Sequence, residues 1–276
     1  MKAILAPDGV VFPAPSVPAP RSCGRLLAEL DAFAQESPRI ISRSGVQFDS
    51  AGRVCSLPRY VYLGPRGGGE TLRLGIFAAI HGDEPEGALA LPRFLEALEQ
   101  DPEVATGYAL FIYPVCNPTG FEDNTRHSRA GKDLNREFWG NSREPEVRFL
   151  ESEICLHAFH GIVTLHSDDT SDGLYGFATG AVLTEALLEP ALRAAEAFLP
   201  RNHSGRIDGF SARAGIIHGG YPGMLRTLPG VLRPPFEVTF ETPQRSPVGR
   251  QVAAINAALR AILVEFRQLM ALAQNI

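Results

Sequence analysis

LRLGIFAAIHGDE, residues 72–84, reads as a buried strand that runs straight into a polar cluster. Residues 72–80 are apolar almost throughout, which suits a strand covered on both faces. Residues 84–99 then place Leu89, Phe94, Leu95 and Leu98 at helical spacing. This strand, turn and helix grammar recurs. Residues 59–63, 108–115, 161–165 and 236–240 read as further strands, and 22–35, 144–159, 184–198 and Val248–Ala273 as helices. Short apolar runs alternating with amphipathic helices predict an α/β fold, a single domain built on a mixed, mostly parallel, twisted sheet flanked by helices. At 276 residues and 45% hydrophobic, the chain can bury a core of that size. The expected division is an N-terminal arm, helix and lead-in strands over 1–58, and one compact unit over 59–276.

Charge narrows the partners. A formal net charge of −5 with scattered basic residues gives no electrostatic case for nucleic acid or an anionic membrane. No run approaches the length of a membrane span. Pro7, Asp8, Pro13 and Pro15 interrupt the start of the chain where a secretory leader needs an apolar stretch, so a cytoplasmic location is expected. Residues 12–20, with four prolines in nine positions, read as an extended surface arm. Cys23, Cys55, Cys116 and Cys155 form no CxxC pair and read as four reduced thiols.

Chemistry concentrates where strands end. His81 follows the apolar run ending at Ile80, His166 follows Val163-Thr164-Leu165, and Glu241 follows Val238-Thr239-Phe240. In open α/β sheets the ligand crevice lies at the C-terminal ends of the strands, so these three can converge. His81 and Glu84 are three apart and can face one point in the turn that leaves the strand. With His166 they make a His2Glu set, an established zinc environment that leaves a position open for water. Taken alone, Asp83, Glu84 and Glu86 could simply complement a helix dipole, and His166 could be a satisfied core histidine. Ser167-Asp168-Asp169 after His166 favours a site, and offers a carboxylate to orient it. His157 and His160 read instead as groups near a helix C-terminus. Such a zinc site also needs a carboxylate base. Glu241 is preferred over Glu237, which has the same strand parity but sits at the opening of its strand.

Residues 117–132 form a long loop carrying Arg126 and Arg129, and long loops in compact domains are usually functional. Asn135-Arg136 then offers amide donors and a guanidinium fork suited to gripping a carboxylate. Together these groups suit hydrolysis of an amide bond with one zinc ion per chain, on a peptide or another small carboxylate-bearing substrate. No GxSxG elbow points to a serine hydrolase.

The pattern resembles the zinc metallocarboxypeptidases, the carboxypeptidase A-like peptidases. The similarity rests on His81-Gly82-Asp83-Glu84, Asn117-Pro118-Thr119-Gly120, Thr125-Arg126, Asp133-Leu134-Asn135-Arg136, Thr164-Leu165-His166 and Thr239-Phe240-Glu241, in the family's order from about residue 60 onward. The resemblance implies a zinc carboxypeptidase-like catalytic domain over 59–276. It also implies zinc on His81, Glu84 and His166, a carbonyl-polarising Arg126, a carboxylate clamp of Asn135 and Arg136, and Glu241 as base. It further implies a mobile tyrosine near the substrate terminus, for which Tyr221 is the candidate and Tyr175 the fallback. A related branch, the aspartoacylase and succinylglutamate desuccinylase group, resembles the same motifs and acts on N-acyl amino acids. That group carries a β-rich domain after the base, whereas a turn and one helix follow Glu241 here, so the carboxypeptidase is the expected reading. A non-catalytic carboxylate-binding module is the alternative of another class, and the presence of both Arg126 and Glu241 weighs against it.

Overall fold

Ser22 caps the first helix, α1 (Cys23–Glu36), its hydroxyl accepting from the Arg25 amide at 3.4 Å. The computed structural model describes residues 21–50, 52–180 and 184–273, so the expected surface arm at 12–20 lies outside the described residues. After α1 come β1 (Ile40–Ser50), β2 (Arg53–Leu63), β3 (Leu72–Ala78), α2 (Glu86–Gln100), β4 (Tyr108–Tyr113), α3 (Pro118–Asp123), α4 (Pro145–His157) and β5 (Gly161–Asp168). The second half contributes β6 (Tyr175–Gly180), α5 (Thr184–Ala195), β7 (Arg206–Ile207), β8 (Phe210–Arg213), β9 (Ile216–His218), β10 (Phe236–Pro243) and α6 (Val248–Ala273).

Among the described residues the strands form one sheet in the order β1-β2-β4-β3-β5-β10-β6-β9-β8-β7. Its centre, β4-β3-β5-β10, is parallel throughout, and antiparallel pairs lie toward the edges. This is the mixed α/β sheet that the alternating pattern predicts. Side chains point alternately to its two faces. Leu74, Ile76, Leu110, Ile112, Val163 and Leu165 pack into one core with α1, α2, α5 and α6, while Phe77, Phe111, Tyr113 and Ile162 pack against α4 on the other side. Burying each such side chain is worth about 1.5–3 kcal/mol of transfer free energy, which explains why helices cover both faces.

Several ends differ from the pattern, and the differences shape the crevice. β3 stops at Ala78 because Ala79 adopts φ 50°, a left-handed turn that lifts the next residues out of the sheet. β5 and β10 run beyond their apolar stretches, so His166 and Glu241 lie within strands and not after them. They are direct partners in the parallel ladder. α2 begins after Pro85, which leaves His81 and Glu84 in the connecting turn. α4 ends at His157, where Ala158 turns left-handed.

Candidate active site

The turn after β3 lies against the start of α3, and this contact explains two glycines. A Cβ on Gly82 would lie 1.9 Å from the Gly120 carbonyl carbon, and one on Gly120 would lie 2.4 Å from Asn117 Nδ2. Asn117 caps α3 by accepting from Gly120 N at 2.9 Å. Its amide also donates to Ile80 O at 3.3 Å and Arg126 O at 3.4 Å. One side chain thereby ties the His81 turn to the Arg126 loop.

Within that frame Glu84 sits between two imidazoles. His81 Nδ1 lies 2.6 Å from Glu84 Oε1, and His166 Nδ1 lies 2.8 Å from Glu84 Oε2. The Ser167 amide donates to Glu84 Oε2 at 3.1 Å, and the Ser167 hydroxyl donates to Glu86 at 2.8 Å. Among the described residues this is the group that brings three potential ligand atoms together, all within 4.8 Å of one another and all on buried residues. Two ring nitrogens facing the two oxygens of one carboxylate are satisfied either by two N–H donors or by one shared cation. The donor set therefore fits the expected zinc.

Asp133 Oδ1 lies 3.4 Å from His81 Nε2, close enough for electrostatic pairing without a formed hydrogen bond. The sequence assigned an orienting carboxylate to the stretch after His166. Instead Asp168 accepts from the Tyr175 hydroxyl at 2.9 Å and from Thr170, and Asp133 stands by the other histidine. His157 and His160 lie outside the site: His157 Nε2 contacts Arg59 Nη1 at 3.0 Å, and His160 Nδ1 accepts from Arg73 N at 2.9 Å.

The electrostatics follow from burial and crowding. Burial alone would push the Glu84 carboxyl up, but His81 and His166 outweigh it and hold it well below the usual carboxylate range. Burial lowers His166. It would lower His81 as well, but Glu84 and Asp133 reverse the direction and raise it. Glu241 is pushed well above its ordinary value by burial, with Glu84, Asp168 and Asp208 adding repulsion and Arg126 opposing them.

The remaining predicted residues converge on the same cavity of about 440 Å3, lined by His81, Glu84, Arg126, Asn135, Arg136, His166, Tyr221 and Glu241 among others. Arg126 donates from Nε to Asp133 Oδ2 at 3.0 Å and brings Nη1 to 3.3 Å from His81 Nδ1. Asn135 Oδ1 accepts from Leu225 N at 2.8 Å, which leaves its amide donors for a ligand. Arg136 lies over the Tyr221 ring, 4.3 Å from its centroid, and the Tyr221 hydroxyl donates to Asp208 O at 3.0 Å. Gly223, at φ 72°, allows this packing, since a Cβ there would lie 2.2 Å from Arg136 O. Tyr175, the fallback, also lines the cavity but is buried and held by Asp168. Glu237 is not part of this cavity. It accepts from Thr227 N at 2.7 Å and Thr179 Oγ1 at 2.9 Å.

Comparison with known proteins bears on the fold and on residues 70–204. Residues 70–204, just under half of the chain, match the succinylglutamate desuccinylase/aspartoacylase catalytic domain. No curated protein matches the chain in sequence. Among solved structures, a provisionally named metallopeptidase of Shewanella amazonensis superposes with a TM-score of 0.71 at 22% identity, covering 87% of this chain and 91% of that one. The metallo-carboxypeptidases of Burkholderia cenocepacia and Pseudomonas aeruginosa each give 0.69, at 20% and 21% identity, covering 91% of this chain and 70% of theirs. The Pseudomonas aeruginosa structure is a complex with (2-guanidinoethylmercapto)succinic acid. The family resemblance is borne out. The fold is that of the carboxypeptidases, and the matched segment carries the pattern of their desuccinylase and aspartoacylase neighbours.

Proposed function

We propose that this protein is a zinc-dependent hydrolase that cleaves an amide bond beside a free carboxylate, and that it acts as a metallocarboxypeptidase on peptide C-termini. The observation that carries the reading is one cavity holding the His81, Glu84 and His166 donors, the buried carboxylate of Glu241 and two guanidinium groups. Zinc held by those donors supplies Lewis acidity toward a carbonyl and a lowered pKa for water. Glu241 accepts the proton of the attacking water and delivers it to the leaving nitrogen. Its raised affinity for protons suits the first of these steps. Arg126, beside His81, stabilises negative charge on the carbonyl oxygen. Arg136 and Asn135 hold the substrate carboxylate and set the register of an exo-acting enzyme. The Tyr221 ring steadies the Arg136 fork.

A second reading, an N-acyl amino acid deacylase, is favoured by the matched family over residues 70–204, which span every named residue except Tyr221 and Glu241. The dicarboxylic ligand of the Pseudomonas aeruginosa relative fits either class, since both substrates present a carboxylate. The test is to supply zinc and measure amine release from peptides with free C-termini, from the same peptides amidated, and from N-acetyl and N-succinyl amino acids. Release confined to free C-termini is expected. Turnover of the acyl amino acids alone would replace the peptidase with the deacylase. Bound zinc with no turnover of any substrate would leave a carboxylate-binding module.

A further inference from the structure

Residues two apart on a strand face the same way, so the row that carries Glu241 continues through Thr239 to Glu237, and the row that carries His166 continues through Thr164 to Ile162. The rows form a polar seam leading away from the cavity, with the Thr164 hydroxyl donating to Thr239 Oγ1 at 2.9 Å. Beyond the seam lies a second, small pocket of about 10 Å3, bordered by Thr164, Thr179 and Glu237. That is room for one water at most. Met224 and Thr239 line both spaces. The Met224 sulfur is fixed in place, accepting from Tyr221 N at 3.0 Å, and a Cβ on Gly220 would lie 3.0 Å from it.

With the carboxylate at Asn135 and Arg136 and the scissile carbonyl near His81, Glu84 and His166, the rest of the lining is left for the substrate side chain. Of that lining, Thr239 and Met224 also border the inner pocket, whereas Asp168, Thr170, Tyr175, Asp208 and Gln244 do not. We propose that Met224 determines specificity by plugging the passage between the cavity and the inner pocket. The wild-type protein accepts short side chains beside the amide. An unplugged variant accepts long ones, and Glu237 receives a cationic end. Glu237 suits that role because it is buried on the lining of the inner pocket; Arg226, on the same lining, acts on it electrostatically but, among the described residues, forms no salt bridge with it. This inference rests on the hydrolase reading for its geometry, and the test separates the two.

Zinc-loaded wild type, Met224→Ala and Met224→Leu are compared by kcat/KM on N-blocked dipeptides ending in alanine, norleucine or lysine. Calorimetry with N-acetyl-alanine and N-acetyl-lysine gives a binding readout that needs no turnover. Opening the plug should raise the lysine-to-alanine ratio about tenfold or more, the scale set by a few methylenes in a pocket. Met224→Leu, which conserves volume, should keep the wild-type ratio. Adding Glu237→Gln to Met224→Ala should remove the gain for lysine and spare that for norleucine. Should the alanine variant not fold, Met224→Val makes a smaller cut and should shift the ratio the same way. An unmoved ratio in a folded variant overturns the plug. A shifted binding ratio in a protein that hydrolyses nothing overturns the hydrolase reading and leaves the plug standing.

Discussion

Glu84 meets His81 and His166 through separate oxygens, so the cluster does not depend on any single pairwise contact. Glu241 stands apart from those contacts, and its role separates cleanly from metal binding. Glu241→Gln should lower kcat by about 10²–10⁴, the usual contribution of a positioned acid–base group, with zinc content unchanged. Full activity in that variant would remove the base from the mechanism. Arg136→Ala removes a charge-assisted contact worth about 1.5–3 kcal/mol. KM should therefore rise roughly ten- to hundredfold for substrates with a free carboxylate and stay unchanged for amidated ones. Equal rises on both would show that Arg136 does not grip the carboxylate. At this scale the sequence was most readable, because His81, His166 and Glu241 each stand out as a polar residue after an apolar run. Asp133 was less so: its place in the motif was visible, but its approach to His81 depends on how the 117–136 segment folds back. Met224 gave no signal, since a methionine in a Gly- and Pro-rich loop reads as filler.

The same contrast holds for elements. Helices with a clear apolar face were readable, and α6 falls where its periodicity places it. β7, β8 and β9 are two to four residues long, too short for a period to stand out in the sequence, even though β8 alternates in burial. They form by successive pairing, β9 on β6, β8 on β9 and β7 on β8, a tertiary effect. α4 carries a cost that its sequence hides. Glu146, in its first turn, is buried with Oε2 unpartnered, and burial pushes its carboxyl up to about 7, with Glu144 adding repulsion and a backbone hydrogen bond opposing. A group whose folded pKa is raised contributes stability that is fully present below its unfolded value near 4.5 and lost as pH rises through about 7. Wild-type stability should therefore fall between about pH 5 and 8, with a slope approaching about 1.4 kcal/mol per pH unit for one proton. Glu146→Gln should flatten that part of the curve, as read by denaturant unfolding across pH. Parallel curves for the two proteins would mean that Glu146 stays ionised in the folded state.

Across the whole molecule, four segments far apart in sequence meet at one point: the turn after β3, the 117–136 segment, β5 and β10. Holding them together costs conformational entropy, and buried polar atoms such as His166 Nε2 have no hydrogen-bond partner in return. A cation that binds this arrangement and not the unfolded chain stabilises the fold by mass action, about 2.7 kcal/mol at a hundredfold excess over Kd. For a chain of this size each kcal/mol moves the midpoint by roughly 2–4 °C, so zinc should raise Tm by about 5–10 °C and a chelator should reverse the rise. His166→Ala should lose both the bound zinc and the shift, whereas Glu241→Gln should keep both. A full shift retained in His166→Ala would place the metal elsewhere in the molecule. A shift lost in Glu241→Gln would make that glutamate a ligand, and the division between metal site and base would have to be redrawn.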